Sequence, residues 1–109
     1  MTTTTPQIFG QALPVAGIQT NLLTIAGSTQ AQLSLFVCNQ GAAYDYFSIE
    51  LIPSGDSPDL SRYIAYNTPI FPNGVFSVAG VSLNSGDSIV VSTQNGNCSI
   101  TATGMAITA

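Results

Sequence analysis

Apolar and polar positions alternate along most of this chain. In AQLSLFVCN (31–39), Leu33, Leu35 and Val37 share one side, and in YDYFSIELI (44–52), Phe47, Ile49 and Leu51 do the same. SIVVST (88–93) sets Ile89 with Val91, and CSITATGMAIT (98–108) sets Cys98 with Ile100 and Ala102. A period of two is the mark of a strand with one buried face. TNLLTIA (20–26) and RYIAY (62–66) read as shorter strands. In VFSVAGVSL (75–83) the apolar parity flips at Gly80, from Phe76 and Val78 to Val81 and Leu83, which predicts a bulge or bend. The last strand carries a possible break at Gly104.

Between these runs lie turn formers: Gln40-Gly41, PSGDSPD (53–59), FPNG (71–74), NSGD (84–87) and QNGN (94–97). Asn95-Gly96 reads as a two-residue hairpin turn, since both residues tolerate positive φ. No apolar period of 3.6 persists, so no helix is predicted. Seven or eight short strands at regular spacing predict an all-β antiparallel β-sandwich, the jelly-roll being one such arrangement. Residues 1–14 lack an alternating face and read as an extended N-terminal arm with Ile8 and Phe9 as anchors; residues 15–109 form the single sandwich domain. Fully extended, such an arm reaches on the order of 45 Å.

Composition changes this picture chiefly through charge. Only 6% of the 109 residues are charged, against about 25% in an ordinary soluble domain. The 45% apolar content and single-domain length permit a core without metal or cofactor, and none is expected. With a net charge of −4 there is little self-repulsion, so the surface is expected to touch copies of itself or a partner. Direct binding of nucleic acid needs clustered cations, which one Arg does not supply. No apolar run is long enough for a transmembrane helix, and the start MTTTTPQIFGQALP has neither the basic nor the apolar region of a secretory signal.

Catalytic candidates are few. The absence of His and Lys removes Ser-His-Asp, Cys-His and Schiff-base chemistry. Asp45, Glu50, Asp56, Asp59 and Asp87 read as solvated strand and loop acids; Glu50 falls opposite Phe47, Ile49 and Leu51, on a solvent or interface face. Asp56 and Asp59 supply only part of a calcium site and read better as loop caps. Cys38 and Cys98 fall on opposite faces relative to their strands' apolar positions, which favours two small thiols over a bridge. Asn97-Cys98-Ser99 fits a glycosylation sequon, relevant only in a secreted eukaryotic chain. Tyr44 and Tyr46 share a face and suit a protein interface or, as an alternative, a sugar platform. Arg62, the only basic residue, follows the acidic loop 53–59, with Asp56, Asp59 and Glu50 as available partners; it is expected to pin a loop or a subunit contact rather than perform chemistry.

The segments GQALP (10–14), LSLFVCNQGAA (33–43), RYIAYNTPI (62–70) and SLNSGDSIVVST (82–93), in this order, resemble a group of small β-sandwich structural proteins of tailed bacteriophages. Cys38-Asn39 matches a recurring Cys-Asn pair, while Asn67 stands where that group commonly has Asp, and LLTIAGS lacks its usual Tyr and Pro. The resemblance implies a non-enzymatic virion component, foremost a head decoration (cement) protein, commonly a homotrimer, that binds the major capsid protein and stabilises the outer lattice. It implies equally a tail, neck, baseplate or fibre-associated protein. A carbohydrate-binding adhesin module stands as a further alternative from the tyrosines.

Overall fold

The computed structural model describes residues 2–108. The described residues form eight strands: β1 Thr3–Ala12, β2 Thr20–Thr24, β3 Thr29–Asn39, β4 Asp45–Ile52, β5 Tyr63–Ile70, β6 Val75–Leu83, β7 Ser88–Thr93 and β8 Cys98–Thr108. A single 3₁₀ turn, Leu60–Arg62, precedes β5. Among the described residues no helix is long and apolar enough to cross a membrane.

The strands form two four-stranded sheets with the orders β1-β8-β3-β6 (sheet A) and β2-β7-β4-β5 (sheet B), every pairing antiparallel. This interleaved order is that of a jelly roll. Consecutive strands mostly fall in different sheets, and only β4 and β5 are both consecutive and paired. Packing face to face turns the alternating residues of both sheets into one core. Leu35, Val37, Phe47, Ile49, Ile89 and Ile100 are fully buried there. The result is a slab of 48 × 27 × 19 Å with two broad outer faces.

Four expectations are revised. Residues 3–12 are not a free arm: they form β1, an edge strand laid along β8 in a register from Thr3 opposite Thr108 to Ala12 opposite Ile100. The pairing is made by backbone groups, which Thr, Pro and Gln side chains do not advertise through alternation. An irregularity between Ile8 and Gly10 then separates the two proposed anchors. Ile8 stays 60% exposed, while Phe9 packs against the core.

Gln94–Asn97 is not a hairpin turn but a crossing between sheets, since β7 belongs to sheet B and β8 to sheet A. Gly96 still uses positive φ, +78°, to make the bend.

Strand β8 is not broken at Gly104. A Cβ at that position would stand 2.2 Å from the Gln32 carbonyl oxygen and 2.6 Å from the Leu33 Cα, so glycine lets β3 approach. The fourth revision, the burial of Glu50, belongs with the site below.

The predicted irregularity in β6 is present. Pairing with β3 steps from Leu33–Val81 to Leu35–Val78, and Gly80 has φ +77°. The bulge lets Phe76 and Val78 on one side of it, and Val81 and Leu83 on the other, all face the core.

Candidate functional site

Asp45 and Glu50 are buried rather than solvated, whereas Asp56 and Asp59 stay exposed on their loop. Asp45 opens β4 and is fully buried. Its Oδ1 accepts the amide N–H groups of Tyr46 at 2.7 Å and Asn95 at 2.9 Å; its Oδ2 accepts that of Asn97 at 3.0 Å. The Cys98 thiol completes the shell at 3.5 Å. Burial alone would raise the Asp45 pKa, but the amides of Asn97, Asn95 and Tyr46 and the thiol outweigh it and hold it below its ordinary value. The same contact acts in reverse on Cys98. Burial first, then the Asp45 charge and hydrogen bond, push this thiol up to about 12.

Asn39 works beside it. Its Nδ2 donates to the carbonyls of Ala43 and Ile70, and its Oδ1 accepts from Gly41 N–H. Asn39 and Asp45 thus fix the loops at one end of the slab. Cys38, one residue earlier, points outward and is half-buried, and both cysteines are free.

Glu50 corrects the expectation of a solvent-facing acid. It does leave the sheet on the side opposite Phe47 and Ile49, but the 53–62 segment covers it to 1% exposure. Its Oε2 accepts the Asp59 N–H at 2.8 Å, and Oε1 is buried without a partner. Arg62 lies over the same segment. Its guanidinium holds Asp56 at 2.8 Å and stands 3.7 Å from Asp59. Asp59 also caps the 3₁₀ turn by accepting from the Ser61 amide and hydroxyl, and these bonds, more than the nearby Arg62, hold its pKa low. Arg62 therefore pins the acidic loop within its own chain. Among the described residues no group of three or more His, Cys, Asp or Glu is arranged to hold a metal.

The six sequence candidates do not converge. Ile8 and Phe9 are in sheet A, whereas Tyr46, Glu50 and Arg62 belong to sheet B and its connection. Tyr46 and Glu50 are four residues apart on β4, roughly 13 Å. Tyr44 lies at the slab's end, where its ring meets that of Phe71 at 5.2 Å.

A larger feature emerges from the pairing. All six charged residues of the chain lie in β4, in the 53–62 connection or in the turn at Asp87. The four strands of sheet A hold none. Its outer face carries Ile8 on β1, Met105 and Ile107 on β8, Phe36 on β3 and Val75 on β6, set among Thr, Ser and Gln. Phe36 is 42% exposed, Met105 39% and Val75 69%. Exposed Tyr44 and Phe71 pair in the connections that precede β4 and follow β5, Phe71 opening the turn that leads into Val75. Local patterns missed this face because each strand contributes only one or two of its residues. The signal in the sequence was the absence of charge from four separate segments.

No family model matches the chain, and no curated protein matches it in sequence.

Proposed function

We propose that this chain is a non-catalytic structural protein of a phage virion, docked on the outer head lattice through the exposed face of sheet A, beside copies of itself. The observation that carries the reading is that uncharged face. A broad sheet surface with five outward aliphatic, thioether or aromatic side chains and no charge loses little on desolvation and gains from apolar burial. The order of the segments quoted above supports a virion setting. The jelly roll is also common among viral shell domains, though fold alone does not assign function. Loop-ordering roles for the carboxylates and for Arg62 are in keeping with a protein that does no chemistry.

On this reading sheet A replaces the arm as the contact. A lattice protein gains residence from many repeated weak contacts rather than from one strong site. The test combines two measurements. Quantitative mass spectrometry of separated heads and tails should find the protein on heads, in copy number comparable to the major shell protein. Met105→Glu and Phe36→Glu chains should fold normally by circular dichroism yet fail to bind heads. A few copies confined to tails would move the protein to the neck, tail or fibre, and absence from both would end the virion reading. Full head binding by both variants would remove sheet A as the contact.

A further inference from the structure

The opposite broad face carries a second feature, independent of the docking surface. A shallow groove crosses the outside of sheet B, lined by Gln19, Tyr46, Ser48, Asn67, Ser92 and Gln94. These residues come from the β1–β2 connection, β4, β5, β7 and the crossing to β8, so the fold assembles what no local stretch encodes. Every lining side chain is uncharged.

The walls are fixed by main-chain hydrogen bonds. Gly17 N–H donates to the Thr93 carbonyl at 2.8 Å, which ties the β1–β2 connection to β7. Gln94 N–H donates to the Tyr46 carbonyl at 2.9 Å. Asn67 N–H donates to Ser48 Oγ at 2.9 Å and holds Asn67 at φ +45°, a left-handed conformation that a non-glycine residue adopts at some cost. That bend occurs where the β4–β5 register slips, and it interrupts the edge of sheet B beside the groove. The Gln19 amide reaches the Tyr63 hydroxyl at 3.3 Å, and Tyr66 meets Tyr63 edge-on at 4.8 Å, so an aromatic pair flanks the Gln19 side.

We propose that this groove binds a neutral oligosaccharide. Side-chain amides present a donor and an acceptor side by side, the spacing that adjacent sugar hydroxyls offer, and the serine hydroxyls add groups of either sense. An exposed tyrosine ring gives an apolar platform for the C–H face of a pyranose while its hydroxyl remains in water. A groove open along the sheet suits a chain of sugars rather than a single enclosed one. The charge pattern excludes acidic sugars: no cation lines the groove, and the only arginine is committed to Asp56. Fixed walls mean little ordering on binding, which favours affinity from a few weak hydrogen bonds.

The experiment is a microarray of neutral, sialylated and uronate-containing oligosaccharides probed with the full chain. The best neutral binder is then titrated into ¹⁵N-labelled protein. Neutral oligosaccharides should bind and shift the amides of Ser48, Asn67 and Gln94. Gln94→Ala and Asn67→Gly should each weaken binding roughly fivefold, about one neutral hydrogen bond. Glycine is chosen at position 67 because it keeps the left-handed backbone. Tyr46→Ala should weaken it further, and Met105→Glu on the far face should leave it unchanged, which separates this site from the docking surface. No neutral oligosaccharide binding at millimolar concentration, a preference for acidic glycans, or binding indifferent to Asn67→Gly and Gln94→Ala would overturn the proposal.

Discussion

Asp45 and Cys98 form a buried acid–thiol contact whose pKa shifts run in opposite directions, and each makes the stability of the fold depend on pH. Asp45 has its pKa lowered from 3.8 in the folded chain, so on acidification the unfolded chain takes up this proton first. Its stabilisation is therefore present above about pH 4 and is lost as pH falls through the folded value. Cys98 is raised from 9.0 to about 12, so its contribution is intact below 9.0 and is lost as pH rises toward 12. Urea midpoints measured across pH should show a plateau with both shoulders. Asp45→Asn should lower the plateau and flatten the acid shoulder. Asp45→Ala, which strands three amides, should cost about 2–4 kcal/mol. The thiols should differ in reactivity as well. An alkylating reagent at pH 8 should label half-buried Cys38 and leave Cys98 until the protein is unfolded, because the thiolate is the reacting form; equal labelling of both in the folded protein would contradict the geometry. Neither role was legible locally. Asp45 looks like any polar residue at a strand start, and its partners, Asn95 and Asn97, lie fifty residues on. Glu50 was misread for a similar reason: alternation gives the side of the sheet but not what covers that side.

At the scale of elements, alternation succeeded where a strand has one buried and one more open face, as in β3 and β7. The β6 bulge was readable because Gly80 coincides with a parity flip. Alternation failed for β1, an edge strand with polar residues on both sides, and for the 94–97 segment, where a turn signal states that the chain bends but not toward which sheet. Gly104 was read as an interruption, whereas its lack of a Cβ makes room for the β3 backbone at Gln32 and Leu33. Gly104→Ala should force the central pairing of sheet A apart and cost about 1–3 kcal/mol in chemical denaturation, a price set by overpacking rather than by helix or strand preference. Unchanged stability would mean that β3 and β8 can separate there without loss.

For the molecule as a whole, the segregation of charge predicts how it associates. If sheet A docks on the head as proposed, that contact carries no ion pairs from this chain, so retention should change little between low and high ionic strength, where a contact through charged loops would weaken. Co-sedimentation with purified heads across a salt series checks this, and steep loss with salt would shift attention to the acidic loop around Arg62. The groove on sheet B could not be read from sequence because Gln19, Asn67 and Gln94 are ordinary loop and edge residues until the fold brings them to one face.

The position of β8 has a consequence for how the protein is made. Strand β8 is not an edge but an interior member of sheet A, held between β1 and β3. While residues 98–108 remain inside the ribosome, sheet A is split and β1 has no neighbour in it. The edges of β1 and β3 that face β8 then stay unpaired until residues 98–108 emerge. During that interval the strand edges that β8 later fills are open to wrong pairing, which makes chaperone demand and yield depend on residues 98–108.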